Sequence, residues 1–135
     1  MNWNTQNRPV IERFRASGGK AGERPLLLLT TLGARTGRPH TTPLMYLLDG
    51  DRLAVIASRG GSAGHPDWYH NLVANPSVTV EVGGETFETQ AVVADPREQQ
   101  RLFAIQAERY PFFAGYQRKV KRRIPVVILE RTRRT

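Results

Sequence analysis

The residues best equipped for chemistry in this chain fall into three short groups. Arg35 and Arg38 bracket Gly37 in the turn Gly33-Ala34-Arg35-Thr36-Gly37-Arg38-Pro39. Glycine lets the main chain approach a ligand closely, and guanidinium forks bind phosphate through paired bonds. The plainer alternative is an exposed turn that happens to be basic. The second group is Ala57-Ser58-Arg59-Gly60-Gly61-Ser62-Ala63-Gly64. Its small residues clear space for a flat ligand, Ser58 offers a hydroxyl and Arg59 a charge; the alternative is an ordinary surface loop. Just beyond it stands Trp68, able to stack on a ring, although a single Trp on a short helix is more often core. In the third group Tyr110, Phe113 and Tyr116 recur at three-residue intervals, which on a helix gives a shared face. That face is either a core stripe or an aromatic wall. Arg109, Arg118 and Lys119 surround it, and aromatics rimmed with cations suit a planar anionic ligand.

Other chemistries lack their residues. There is no cysteine, so disulfides, thiolate metal sites, iron–sulfur clusters and a cysteine nucleophile are excluded. No P-loop, no glycine-rich dinucleotide fingerprint and no serine nucleophile elbow occurs in the sequence. His65 and His70 are five apart, off the four-residue spacing of a helical zinc pair, and with His40 they are all the histidines. No metal site is expected.

Charge narrows the partners without choosing among them. Lys and Arg number 20 against 12 Asp and Glu, a formal +8. Such a surplus favours nucleic acid, an acidic membrane face or an anionic ligand. The densest run is Arg118, Lys119, Lys121, Arg122 and Arg123. It reads as a solvated face that is also able to meet a phosphate chain, an acidic tail or anionic lipid. The short basic C-terminus and the lack of a recognised nucleic-acid motif count against a nucleic-acid-binding barrel.

The elements that must position these groups follow from pattern. Val10, Ile11 and Phe14 sit at near-helical spacing after Trp3, with Pro9 placed to occupy a first turn and Gly18-Gly19 to end the helix. A loop is expected up to Pro25. Leu26–Thr31 reads as a buried strand and Thr41–Leu48 as its return, with Pro43 marking an edge or a bulge. Asp49-Gly50 signals a hairpin into Leu53–Ala57. Pro66–Ala74 reads as a short helix closed by Asn75-Pro76. Val78, Val80 and Val82 alternate with polar residues, Gly83-Gly84 turns the chain, and Thr86–Val93 returns. Asp95-Pro96 opens a helix, Tyr110–Lys121 reads as a second, and Ile124–Glu130 as the last strand. The expected fold is α+β: a small antiparallel β-barrel of about six strands with helices packed around it. At 135 residues, with 39% hydrophobic and 24% charged, one domain spanning 1–135 is expected. Residues 1–24 would be its N-terminal helix and loop, and 131–135 a flexible tail. No apolar run reaches the roughly 18 residues of a membrane span, so the expected location is cytoplasmic.

Taken in order, these segments resemble the deazaflavin-dependent nitroreductases of actinobacteria, which use coenzyme F420. The resemblance rests on Leu28-Leu29-Thr30-Thr31-Leu32-Gly33-Ala34-Arg35-Thr36-Gly37, then Thr42-Pro43-Leu44 with Tyr46, then Ala57-Ser58-Arg59-Gly60-Gly61. It continues through His65-Pro66-Asp67-Trp68-Tyr69-His70-Asn71-Leu72 with Asn75-Pro76, Tyr116-Gln117 and Arg123-Ile124-Pro125-Val126-Val127. It implies a flavin-type split barrel that holds the deazaflavin in a groove. Arg35, Thr36, Gly37 and Arg38 would meet the phosphate and acidic tail, joined in the cofactor site by His40, Thr42, Pro43 and Met45. Ala57, Ser58, Arg59, Gly60 and Gly61 would border the ring, with Ser58 near its reactive centre, and Trp68 would line the pocket. Tyr110 and Tyr116 would face the substrate and, with Ser58, are the implied catalytic residues. The implied reaction is hydride transfer from reduced F420 to an electron-poor small molecule: a quinone, an activated alkene or a nitroaromatic. Phe113 stands where the family often has a third tyrosine, which counts against nitroimidazole reduction. Arg59 stands where lysine is common, and His40 where arginine is. An FMN- or haem-type split barrel, or a cofactor carrier without turnover, is the alternative. A homodimer and peripheral attachment to the inner face of the cell membrane both stay open.

Overall fold

The computed structural model describes residues 3–19 and 25–131. Among them the chain runs α1 (Trp3–Ala16), β1 (Leu26–Leu32), β2 (Pro39–Asp49), β3 (Arg52–Ile56), a 3-10 turn (Arg59–Gly61), α2 (Asp67–Ala74), β4 (Ser77–Val82), β5 (Glu85–Val93), α3 (Pro96–Arg109), α4 (Phe112–Lys119) and β6 (Val126–Glu130). The expected loop before Pro25 and most of the expected tail lie outside the described residues.

The six strands close into an antiparallel barrel in the order β1-β2-β3-β6-β5-β4. Two long strands change partner midway. β2 gives Pro39–Met45 to β1 and Tyr46–Asp49 to β3. β5 gives Glu85–Gln90 to β4 and Ala91–Val93 to β6. The expected split barrel is therefore the observed one. Pro43 falls in the half of β2 that has a strand on one side only, an edge position that tolerates its missing N–H.

Burial explains the texture of each strand. Leu53 and Val55 of β3 and Val127 and Leu129 of β6 point into the barrel with Leu27, Leu29, Val78 and Val80. The residues between them, Ala54, Ile56, Val126 and Ile128, face outward and are covered by Leu102 of α3 and Phe113 of α4. Strands covered on both faces read as unbroken apolar runs, whereas β4, covered on one, alternates.

The end of α1 docks on the β4–β5 hairpin. The Gly19 N–H donates to the Phe14 carbonyl at 2.9 Å, and Gly19 has a φ of +89°. A Cβ there would stand 2.7 Å from the Gly84 amide nitrogen, so both backbone sign and close approach demand glycine. Arg15 adds a two-pronged pair to Glu81 of β4, at 3.0 and 2.9 Å. At the β2–β3 turn, Asp49, Arg52, Glu98 and Arg101 form a charge network joining that turn to α3. Hydrogen bonds from Arg101 and then Arg52 hold the Asp49 carboxyl well below the usual carboxylate range. Asp95 caps α3 by accepting from the Glu98 amide at 2.9 Å.

Three expectations need correction. Pro9 lies inside α1 rather than in its first turn; burial of Phe14 at the end of that helix offsets the one main-chain bond a proline removes. The stretch from Tyr110 to Lys121 is not one helix: α3 ends at Arg109, Tyr110 adopts φ −132° and ψ +88°, and α4 runs only from Phe112 to Lys119. Pro111 is the cause, because a residue before proline is pushed out of helical geometry. The last strand begins at Val126 rather than Ile124, although Pro125 still accepts the Ala57 amide at 2.9 Å.

Candidate functional site

The basic hairpin joining β1 to β2 is built to present its arginines. Gly33 N–H donates to the Arg38 carbonyl and Gly37 N–H to the Gly33 carbonyl, both at 2.8 Å. Gly37 takes a φ of +69°. Arg35, Thr36, Gly37 and Arg38 are all exposed, and neither guanidinium has an acidic partner among the described residues. The hairpin base is packed: the half-buried His40 ring lies over Gly33, its Nε2 3.1 Å from where a Cβ would stand. Thr42 is buried and Pro43 and Met45 are half-buried along β2.

What fixes this hairpin is Asn71 of α2, buried and bonded on both sides of its amide. Its Oδ1 accepts from the Ala34 N–H at 3.0 Å and its Nδ2 donates to Thr31 Oγ1 at 3.1 Å. Sequence inspection passes over Asn71 as a functional residue, yet a signal was there. Trp68, Asn71 and Leu72 have the spacing of one helix face, and all three are buried. A polar residue on an apolar helix face must find partners.

The second group sits where β3 leaves the barrel. Ala57 and Ser58 are buried, and the chain then makes a 3-10 turn of unusual conformation. Arg59, Gly60 and Gly61 all take positive φ, at +49°, +62° and +81°. For Arg59 this left-handed geometry costs roughly 1–2 kcal/mol. Gly61 packs on α4: a Cβ there would meet Tyr116 Cα and Lys119 Cδ at 3.2 Å. The turn is thereby seated beside Tyr116.

Tyr116 belongs to a cluster in which Met45, Tyr110 and Phe112 are partly buried and Phe113 is fully buried. Ring centroids of Phe112 and Tyr116 are 5.6 Å apart, and those of Tyr110 and Phe112 5.9 Å. Phe113 is thus the core member of the expected stripe, and Phe112 takes its place between the tyrosines. Tertiary packing across Pro111, not helical periodicity, brings Tyr110 and Tyr116 to the same ring, that of Phe112. Trp68 is 6% exposed and packs in the barrel cluster with Ala57 and Leu72; its ring supports the loop from beneath.

Five hydrogen bonds converge on the loop from one residue, Arg122, in the segment between α4 and β6. Its guanidinium donates to the carbonyls of Ala57 at 3.3 Å, Ser58 at 3.0 Å and Ser62 at 3.2 and 3.3 Å, and to His65 Nδ1 at 2.8 Å. Arginine has no acceptor, so His65 must present a bare Nδ1 and is neutral. Burial, then the Arg122 charge, then His70 lower the His65 pKa. Burial, followed by Arg59, lowers that of Arg122. Gln117 steadies the same segment, donating to the Arg122 carbonyl at 2.8 Å and accepting from the Ile124 amide at 3.0 Å.

No group of three or more metal-ligating side chains converges among the described residues. The described residues offer guanidiniums without acidic partners on the hairpin, and a small-residue turn after β3 with Ser58 buried and Tyr116 beside it. A separate groove of about 380 Å³ runs between α3 and the 117–123 segment, lined by Gln99, Phe103, Gln117, Lys121 and Arg123. Its Gln99 and Gln117 are already committed to main chain at 122–124.

Comparisons with known proteins place the chain among its relatives. The F420H(2)-dependent quinone reductase Rv1261c of Mycobacterium tuberculosis is 42% identical over 129 residues, covering 87% of this chain and 85% of that protein. A solved F420-H2 dependent reductase, FDR-A, is 38% identical with a TM-score of 0.73, covering 82% of this chain and 98% of its own. A solved domain-swapped dimer is 35% identical with a TM-score of 0.75, covering 93% of this chain and 95% of its own. A family model for F420H(2)-dependent quinone reductases matches residues 6–131. A family match over nearly the whole length, together with a relative at 42% identity, shows that this chain belongs to the F420H(2)-dependent quinone reductase family.

Proposed function

We propose that this protein reduces a quinone with coenzyme F420, the hairpin holding the coenzyme's anionic arm and the Ser58–Gly61 turn bordering its ring. One observation carries the reading: Asn71 ties the unpaired arginines to the helix that follows the glycine-rich turn, so both sites stand on one rigid support. Reduced F420, when bound, supplies a hydride. Arg35 and Arg38 bind phosphate and carboxylate groups by charge-assisted bonds, with Thr36 and Gly37 shaping the turn. His40, Thr42, Pro43 and Met45 floor the groove along β2, and Ala57, Ser58, Arg59, Gly60 and Gly61 seat the ring, with Trp68 behind. Holding donor and acceptor face to face removes much of the entropic barrier. A quinone that accepts a hydride gains negative charge on oxygen and needs one proton to become the hydroquinone. Tyr116, Tyr110 and Ser58 supply hydrogen bonds to that oxygen, and proton donation of this kind is worth about 10²–10⁴-fold. Nitroaromatics and activated alkenes are electron-poor in the same sense and belong in the same assay.

The test is a fluorescence titration with oxidised F420, run beside FMN. Saturable binding of F420 with weaker binding of FMN is expected. No response up to about 1 mM F420, the top of the usual KM range of roughly 1 µM–1 mM, would refute the proposal.

A further inference from the structure

Arg122 lies within the densest basic run of the chain, between exposed Lys121 and Arg123. Unlike them it turns inward. Its five donated bonds reach Ala57, Ser58, Ser62 and His65 across about sixty residues of sequence. The segment it grips holds Arg59 in left-handed geometry. Backbone strain of that kind persists only where the surroundings over-determine it, and it gathers at working sites. One of the five bonds ends on a titratable ring. Facing His65 are Arg122 from the α4–β6 segment, and Tyr69 and His70 from α2, at ring separations of 4.7 and 5.7 Å. The Arg59 guanidinium lies close by, 3.2 Å from where a Gly64 Cβ would stand. No carboxylate is among these groups to welcome a second positive charge. A proton on Nδ1 would replace a hydrogen bond with two apposed cations.

We propose that Arg122 is the positioning residue of the cofactor-facing turn, clamping Ser58 and Arg59 in place only while His65 is neutral. This rests on the reading that the turn borders the coenzyme ring. Arg122 touches neither coenzyme nor acceptor in that reading. It acts through the carbonyls of Ala57, Ser58 and Ser62, which set where the Ser58 hydroxyl and the Arg59 charge stand.

Two variants and two kinds of readout test this. Arg122→Lys keeps the charge but cannot reach the same acceptors at once. His65→Asn keeps an acceptor near Nδ1 but does not titrate. In the cofactor-free protein, hydrogen exchange at the Gly61 and Ser62 amides, which close the turn, should quicken about tenfold or more in Arg122→Lys, as local openings become cheaper. With F420 and quinone, Arg122→Lys should lower kcat by about tenfold, since small misplacements near the reacting atoms are costly. F420 Kd should move less than about threefold, because the charged hairpin carries that affinity separately. Wild-type turnover should fall from pH 8 to pH 5.5, and His65→Asn should flatten that fall. Unchanged exchange and kcat in Arg122→Lys, with an acid fall intact in His65→Asn, overturns the positioning role. Ser58→Ala and Arg35→Ala separate the two readings. If neither changes turnover or F420 binding, the site assignment fails and the role of Arg122 fails with it. If they do change them while Arg122→Lys and His65→Asn do not, the positioning role alone is lost.

Discussion

The β1–β2 hairpin and the turn after β3 use arginine in opposite ways. At the hairpin, Arg35 and Arg38 are exposed and without acidic partners, and an uncharged residue, Asn71, does the holding. At the turn after β3, the holding is done by a cation, Arg122, whose guanidinium is fully engaged with carbonyls and a ring nitrogen. A surplus of +8 is therefore not one undifferentiated field. Part of it is available to an anionic ligand, and part is spent on internal architecture. The difference is physical: a hairpin tip is reached by water on most sides, whereas carbonyls released by a left-handed turn need donors. One long side chain with five N–H groups supplies several at once.

The comparison yields a graded set of expectations. Gly61→Val should have the largest effect. It forces a branched side chain into φ +81° and into contact with Tyr116 main chain, costing about 3 kcal/mol; thermal melting reads the loss, and turnover should fall with it. Asn71→Ala comes next. It strips partners from the Ala34 N–H and the Thr31 hydroxyl, worth about 1–3 kcal/mol. F420 Kd should rise about tenfold while kcat at saturating coenzyme stays within about twofold, if hairpin and turn act as separable halves. A larger drop in kcat than in affinity would break the comparison. Arg35→Ala should weaken F420 binding by about five- to tenfold in low salt and distinctly less at 0.5 M salt, as expected of a screened surface charge. Equal losses at both salts would remove the electrostatic role.

The smallest effect is a stability slope. The His65 pKa in the folded protein lies below the ordinary 6.5, through burial first and Arg122 second. Between the two values the unfolded chain binds more protons, so stability rises with pH there. The contribution is complete above about pH 6.5 and is lost as pH falls toward the lowered folded value. Melting temperature should therefore decline more steeply from pH 7 to 5 in the wild type than in His65→Asn. Parallel declines would place the sensitivity elsewhere.

Much of the fold is legible in the residues alone. Alternation gave β4, unbroken apolar runs gave β1 and β3, and Asp49-Gly50 and Gly83-Gly84 gave the hairpins, each within a residue or two of the observed ends. These are local signals with a fixed period or a fixed turn chemistry. The candidate ligand groups were visible for the same reason, as residue types clustered in short segments. The aromatic stripe was only half right. Its spacing suggested one helix, but Pro111 divides it, and Phe112 rather than Phe113 lies between the tyrosines.

Composition and local pattern determined by themselves that this chain forms a basic α+β domain with an arginine hairpin, a glycine-rich turn and clustered tyrosines. Which polar side chains are left exposed and which hold the main chain was decided only by tertiary structure. Lys121, Arg122 and Arg123 are alike in charge and adjacent in sequence, and nothing local separates them. Arg122 alone meets Ser58, sixty-four positions away, because the barrel closes β3 against β6 and brings the segments flanking those strands together. A bond of that range depends on where two strands pair, and pairing is a property of the whole sheet rather than of either sequence.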